Sequence, residues 1–282
     1  MNNVKDIGEL KGRVLLFGGV YSNLEALSAI QDIALQENIG ASNIINTGDI
    51  VGYCADPDLC LQEIKNWGVH NIAGNVELNL KDGEVNCGCN FDEGSRCDTF
   101  SKQWYPFAQS KVSPDSMQFI EQIPEFLRFQ YAGKNCLVLH GGLADTSQFI
   151  FESTAIEIKQ EIFEKAKVDV IVAGHAGVPF GQKIGSNFWL NPGVIGMPAN
   201  DGTPKVWYAI MDDSVGFECS IISLQYDNHR ASQKMKANPL PQSYAETLLT
   251  GIWDNVEILP QTERALQGIP ISAQKYQIAK LQ

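Results

Sequence analysis

The chain has 282 residues, of which 44% are hydrophobic and 19% charged, and its net charge is -12 at neutral pH. That length suits one large domain or two small ones, and the composition is that of a folded globular protein. An acidic surface repels phosphate backbones, which argues against nucleic-acid binding; a small phosphate compound stays admissible where a metal or local dipoles supply positive charge.

The stretch Met1 to Lys11 is polar and mixed in charge. It has no basic start followed by an apolar run, so no signal peptide is expected. No apolar stretch approaches the ~20 residues of a membrane helix, and a cytoplasmic protein without membrane association is expected. The seven cysteines, an odd number, then read as thiols or metal ligands rather than a disulfide framework.

The pattern alternates strand-like and helix-like segments. RVLLF at 13–17 is a short apolar run that ends in Gly18-Gly19, and Leu24, Leu27, Ile30 and Leu35 predict a helix over 23–36 with Asn23 as its N-cap. NIINT at 43–47 leads into the loop GDIVGYCADP, where Pro57 opens a second helix, and VHNIA at 69–73 is a third strand ending at Gly74-Asn75. Residues 81–98, rich in Gly, Asn, Asp and Cys, read as a loop. Helices around 99–110 and 115–122 follow, then two strands, FLRFQYA and NCLVLH, joined at Gly133-Lys134. A helix over 154–167 precedes the buried strand VDVIVAGH at 168–175, after which hairpins take over: QKIG, NFWLNPG, KVWYAIMDD and FECSIISLQ. Beyond about 226 the chain is polar, with helices expected near 228–236 and 242–250. One domain over 1–225 with a helical extension over 226–282 packed on it is the simplest reading.

Unusual polar residues fall at the strand ends. Asp49 follows NIINT-Gly48, Asn75 follows VHNIA-Gly74, His140 ends CLVL and His175 follows VIVA-Gly174. Ligands bind at the carboxyl ends of strands in open α/β sheets. A carboxylate, an amide oxygen and two imidazoles suit a borderline divalent metal such as Zn, Mn or Fe. Each residue alone is weak, because a Gly-Asp pair after a strand is usually a turn; the four positions taken in order carry the reading.

That order resembles the calcineurin-like metallophosphoesterases, in particular the bacterial phosphodiesterase and diadenosine-tetraphosphatase-like branch, over roughly residues 12–213. The family's Asp-x-His-Gly-Asn corresponds to Gly19-Val20-Tyr21-Ser22-Asn23, its Gly-Asp-x-x-Gly to Gly48-Asp49-Ile50-Val51-Gly52, and its Gly-Asn-His-Asp/Glu to Gly74-Asn75-Val76-Glu77. His140-Gly141, Gly174-His175-Ala176-Gly177 and Asn191-Pro192-Gly193 match the later motifs. The resemblance implies two mixed β-sheets packed face to face with helices outside, a four-layer α/β/β/α sandwich. It also implies a metal-dependent phosphoesterase acting on a small phosphate-containing substrate.

The resemblance is incomplete in one half-site. Family members use two metals that clamp a phosphate and activate water. The first would need ligands where Gly19, Tyr21 and Gly177 stand, with Asp49 shared; the second would use Asp49, Asn75, His140 and His175, all present. A single ion is therefore expected. The family's assisting His is Val76 here, and Ala199-Asn200 stand where an Arg is often found. Tyr21 and Glu77 are the candidates to replace lost chemistry, as ligand, hydrogen-bond donor or general base, and Asn23 and Asn191 are the candidates at the substrate. Cys54, Cys87, Cys89 and Cys97 are candidates for further ligands or a separate structural zinc; Cys60, Cys136 and Cys219 read as core. Two other readings stay open: a non-catalytic descendant that binds a phosphate compound or metal as a sensor or partner, and a cysteine-liganded metal or redox site.

Overall fold

The computed structural model of the protein describes residues 3–89 and 91–279, so residues 1–2 of the polar lead, residue 90 of the loop and residues 280–282 of the extension lie outside it. In chain order the elements are β1 (Val4–Leu10), β2 (Val14–Phe17), α1 (Leu24–Gln36), β3 (Ile44–Asn46), α2 (Pro57–Trp67), β4 (His70–Asn71), α3 (Asn75–Asp82), α4 (Arg96–Lys111), α5 (Pro114–Ile120), β5 (Phe126–Tyr131) and β6 (Lys134–Val138). Then come α6 (Ile156–Ala166), β7 (Val170–Val172), β8 (Phe180–Ile184), β9 (Asn187–Asn191), β10 (Val206–Asp212), β11 (Phe217–Leu224), α7 (Asn228–Lys236), α8 (Gln242–Thr250), α9 (Gln261–Arg264) and β12 (Gln274–Ala279).

The strands form two six-stranded sheets, ordered β1-β5-β6-β7-β9-β8 and β12-β11-β10-β2-β3-β4. Both are mixed: β2, β3 and β4 run parallel, as do β6, β7 and β9, while hairpins add antiparallel neighbours. The alternation of side chains along a strand sets the layers. Val14 and Leu16 of β2 pack with Leu127, Val138, Val172 and Trp207 between the sheets. Leu15 and Phe17 pack outward on Leu27 and Ile30 of α1 and Leu61 and Ile64 of α2. On the far side Leu137, Ile171 and Trp189 meet Ile162 and Phe163 of α6. The result is the expected helix–sheet–sheet–helix sandwich, with Cys60, Cys136 and Cys219 in its core.

Local signals explain most boundaries. Asn23 caps α1 by accepting from the Ala26 amide at 3.2 Å, and α2 starts at Pro57 and stops at Gly68, whose φ of 72° is left-handed. Ser95 starts α4 at Arg96, a few residues earlier than the apolar spacing suggested, by accepting from the Asp98 amide. The extension holds α7 and α8 at the expected ranges.

Two strands depart from the expectation. β1 lies in the lead that reads as merely polar; Leu10 alone of its residues is buried, and it is held as an edge strand by parallel pairing with β5. The extension is not purely helical, because β12 pairs antiparallel with β11. Tyr276 of β12 lies 5.3 Å from the Phe188 ring in the other sheet and its hydroxyl accepts from the Gly181 amide at 3.2 Å, which fastens the two sheets at that edge.

Candidate metal centre

Asp49, Asn75, His140 and His175 stand just past β3, β4, β6 and β7. They meet around one atom, His140 Nε2, which is 3.2 Å from Asp49 Oδ2, 3.2 Å from Asn75 Oδ1 and 3.1 Å from His175 Nδ1. Donors that share one zinc at ~2.0–2.2 Å lie roughly 3.0–3.5 Å from each other, so this spacing fits a common ion. Among the described residues, Asp49, His140 and His175 are the one group of three or more His, Cys, Asp and Glu gathered in this way. His140 Nδ1 is 2.7 Å from the Thr47 carbonyl. A carbonyl only accepts, so Nδ1 carries the proton and Nε2 faces the other donors, the tautomer a ligand needs.

All four residues are buried. Burial works against ionisation of Asp49, but the adjacent His140 outweighs it and the carboxyl is held below its usual range. His140 shows the converse: burial pushes it down and Asp49 more than restores it. Burial and the neighbouring His140 push His175 down to about 3, so it is neutral and able to donate a lone pair. The Phe149 ring stacks on its imidazole at 4.3 Å. Asp49, Tyr21 and Ser22 each sit at φ between 51° and 59°, a conformation unusual outside glycine, here grouped at the site.

Glu77 departs from its expected role as ligand or base. Its Oε2 accepts from the amides of Asp49 and Gly74, both at 2.9 Å, and its Oε1 from Val51 at 3.0 Å. It caps the start of α3 through the Gly74 amide and clamps the Asp49 loop to the Gly74 turn. A Cβ on Gly74 would lie 2.0 Å from Asp49 Oδ1, so only glycine allows that approach. Burial and Asp49 push the Glu77 carboxyl up to about 7. Replacing Glu77 by alanine strands three buried amides, and a loss of roughly 3–9 kcal/mol is expected at ~1–3 kcal/mol each, readable as a lower midpoint in urea.

Tyr21 fills the other half-site. A Cβ on Gly19 would lie 2.5 Å from its Cζ, one on Gly52 would lie 2.8 Å from its Cδ1, and one on Gly177 would lie 4.0 Å from its hydroxyl. The ring packs edge-on to Tyr53 at 4.7 Å. Burial, reinforced by Asp49, pushes its pKa far up, which favours the neutral phenol in the metal-free chain.

The candidate thiols Cys54, Cys87, Cys89 and Cys97 do not gather three together as a metal site among the described residues. Cys54 faces the Gly196 carbonyl at 3.8 Å and Cys97 faces Asn255 Oδ1 at 3.2 Å. Cys87 and Cys89 act instead on a ligand candidate: Asn75 Nδ2 donates to the Cys87 carbonyl at 2.8 Å and lies 3.2 Å from Cys89 Sγ. With its nitrogen engaged there, the amide presents Oδ1 to His140. Cys89→Ala is expected to weaken metal binding about tenfold with the fold intact, as loss of an orienting partner does, measured by competition with a chromophoric chelator.

Asn23 and Asn191, expected at the substrate, hold backbone instead. Asn23 caps α1 and donates to the Gly196 carbonyl at 3.1 Å; Asn191 Oδ1 accepts from Gly193 at 2.9 Å. The space beside the centre is a cleft of about 720 Å³, partly open to solvent, which Asp49 and His175 line together with Tyr53, Phe149, Tyr244 and Trp253. These aromatic residues were not anticipated. A lone tryptophan in a polar extension was the one sequence signal available for them.

The comparisons agree with this architecture. The model of the calcineurin-like phosphoesterase superfamily domain matches residues 20–214. An uncharacterized protein of Methanocaldococcus jannaschii is 26% identical over 258 residues, covering 86% of this chain and 99% of that protein. A metallophosphoesterase from Sphaerobacter thermophilus superposes with a TM-score of 0.66 at 21% identity, covering 86% of this chain and all (100%) of the other. A hypothetical protein from Pyrococcus horikoshii does so with a TM-score of 0.70 at 17% identity, covering 86% and 99%. These two structures share the fold. With more than half of its length matched by the family model and the motif residues brought to one rim of the two-sheet sandwich, the chain belongs to the calcineurin-like phosphoesterase superfamily.

Proposed function

We propose that the protein hydrolyses a phosphoric ester from a single divalent ion held by Asp49, Asn75, His140 and His175. The observation that supports this reading is the placing of three donor atoms 3.1–3.2 Å from His140 Nε2, with the other ring nitrogen fixed on a carbonyl. Zinc, manganese and iron all suit the donor set. Such an ion polarises a phosphoryl oxygen and acidifies bound water. The protein's own residues do the rest. Asp49 brings the one negative charge of the set. The Cys87–Cys89 turn aims Asn75. Phe149 covers one face of His175. Tyr21 lines the same cleft, its phenol kept protonated by burial, and offers a hydroxyl donor to an ester oxygen.

One observation favours a second reading. Val76 cannot move a proton, and both oxygens of Glu77 are bonded to amides, which leaves the site short of a general base. A protein that binds a phosphate compound without turning it over would look like this. Metal analysis of freshly purified protein, paired with hydrolysis of bis(4-nitrophenyl) phosphate and 4-nitrophenyl phosphate under Zn, Mn and Fe, separates the two. One ion per chain with turnover is the expected result. One ion without turnover under any metal supports the binding protein, and absence of metal binding overturns both.

A further inference from the structure

The cleft beside the candidate centre has a composition that its family membership does not explain. Tyr53, Phe91, Phe149, Tyr244, Trp253 and Ile258 line it, and its lining includes no lysine or arginine. The charged side chains at its wall are the carboxylates Asp49 and Asp254, and Asp254 is in an ion pair with Arg96 (Nη2 to Oδ1 2.9 Å). Tyr244, Trp253 and Ile258 stand beyond residue 214, where the match to the family model ends, so one wall lies outside the domain that the model describes.

That wall is built in advance of any ligand. Trp253 Nε1 donates to the Pro198 carbonyl at 2.7 Å and its amide donates to Asn200 Oδ1 at 2.8 Å. Tyr244 packs edge-on to Tyr53 and to Phe100, both at 5.0 Å. A pre-formed, mainly apolar cleft next to a few convergent polar groups binds the apolar body of a ligand and orients its polar end. A second phosphate in this cleft meets Asp49, Asp254 and low-dielectric walls, and the neighbouring Arg96 is already paired with Asp254, so polyphosphates are disfavoured.

We infer that the cleft takes a single-phosphoryl ester whose organic part is a flat, uncharged aromatic ring, held against the Tyr244–Trp253 wall while the phosphoryl group reaches Asp49 and His175. The inference rests on the phosphoesterase reading for the identity of the polar end. It selects among substrates by the cleft's apolar faces and by the absence of cations.

The test is equilibrium binding of non-hydrolysable probes to the zinc-loaded full chain by titration calorimetry. Phenylphosphonate is expected to bind at least about tenfold more tightly than methylphosphonate, the order of discrimination an apolar pocket gives. Benzene-1,4-diphosphonate, which carries a second anion at the far end of the ring, is expected to bind more weakly than phenylphosphonate. Trp253→Ala should bring the affinity for phenylphosphonate close to that for methylphosphonate. Phe91→Ala, on a different wall, should also narrow the ratio and keeps the test valid if the tryptophan variant does not fold. Equal affinity for phenyl and methyl probes, or tightest binding of the diphosphonate, overturns the inference. Because turnover is not measured, a protein that hydrolyses esters without aromatic preference fails this inference alone. One that shows the preference but never hydrolyses fails the enzymatic reading alone.

Discussion

Asp49→Asn is expected to empty the metal centre. The substitution keeps the shape of the side chain and removes the one carboxylate among the four candidate donors, leaving two amides and two imidazoles. Loss of an outer partner alone typically costs 10–100-fold in metal affinity, so loss of this charge should cost more than about 100-fold. The metal-free protein feels it as well. His140, buried and with its pKa raised by Asp49, is left without its partner, and breaking a buried hydrogen-bonded pair from one side costs up to about 3–5 kcal/mol. Chelator competition and thermal unfolding in excess chelator measure the two effects separately. Stoichiometric metal at unchanged affinity in the variant would show that the ion, if bound, sits elsewhere.

The second large effect concerns the ring over Gly19. Gly19→Asp alone places a Cβ 2.5 Å from Tyr21 Cζ, and Tyr21 is 6% exposed and boxed in by Tyr53, so it has little room to yield. Overpacking of this kind costs about 1–3 kcal/mol. In a Tyr21→His background the same substitution has space, and the two changes should couple by ~1–3 kcal/mol in a double-mutant cycle. Adding Gly177→His completes the ligand set that the family resemblance implies, at a further cost of about 1–2 kcal/mol because residue 177 has a φ of +70°. The triple variant is expected to bind two ions per chain where the parent binds one, read by elemental analysis. If Gly19→Asp alone is as stable as the parent, the ring does not occupy the half-site. If the triple variant still holds one ion, the vacated volume is not a metal position.

Much of this was legible from local pattern. The strands carrying Asp49, His140 and His175 are apolar runs whose ends are marked by Gly-Asp, His-Gly and Gly-His, and parallel strands bring such ends to one rim. What pattern could not give was the partner of each polar side chain. Glu77 reads as a base by type; it is a clamp because the amides of Asp49, Val51 and Gly74 close around it, contacts that only the folded loops create. Asn23 shows the same limit, since its N-cap role was visible and its tie to Gly196 was not. Cys54 follows the Asp49 motif closely, yet its amide bonds to the Tyr21 carbonyl at 2.9 Å and its thiol lies against Gly196 instead of the centre. β1 and β12 were missed for another reason: Leu10 is the one buried residue in the two strands together, so no apolar core face marks them, and pairing with the neighbouring strand makes them strands.

The aromatic wall also bears on the order in which the protein acquires its parts. The candidate ligands span residues 49–175, whereas Tyr244 and Trp253 follow nearly seventy residues or more later, and β12, which joins the two sheets through Tyr276, comes later still. During synthesis from the N-terminus, the four donors leave the ribosome before the cleft has its second side. The candidate donors therefore exist in the chain before the aromatic wall does, and a chain halted before Tyr244 would retain the donor set without that surface.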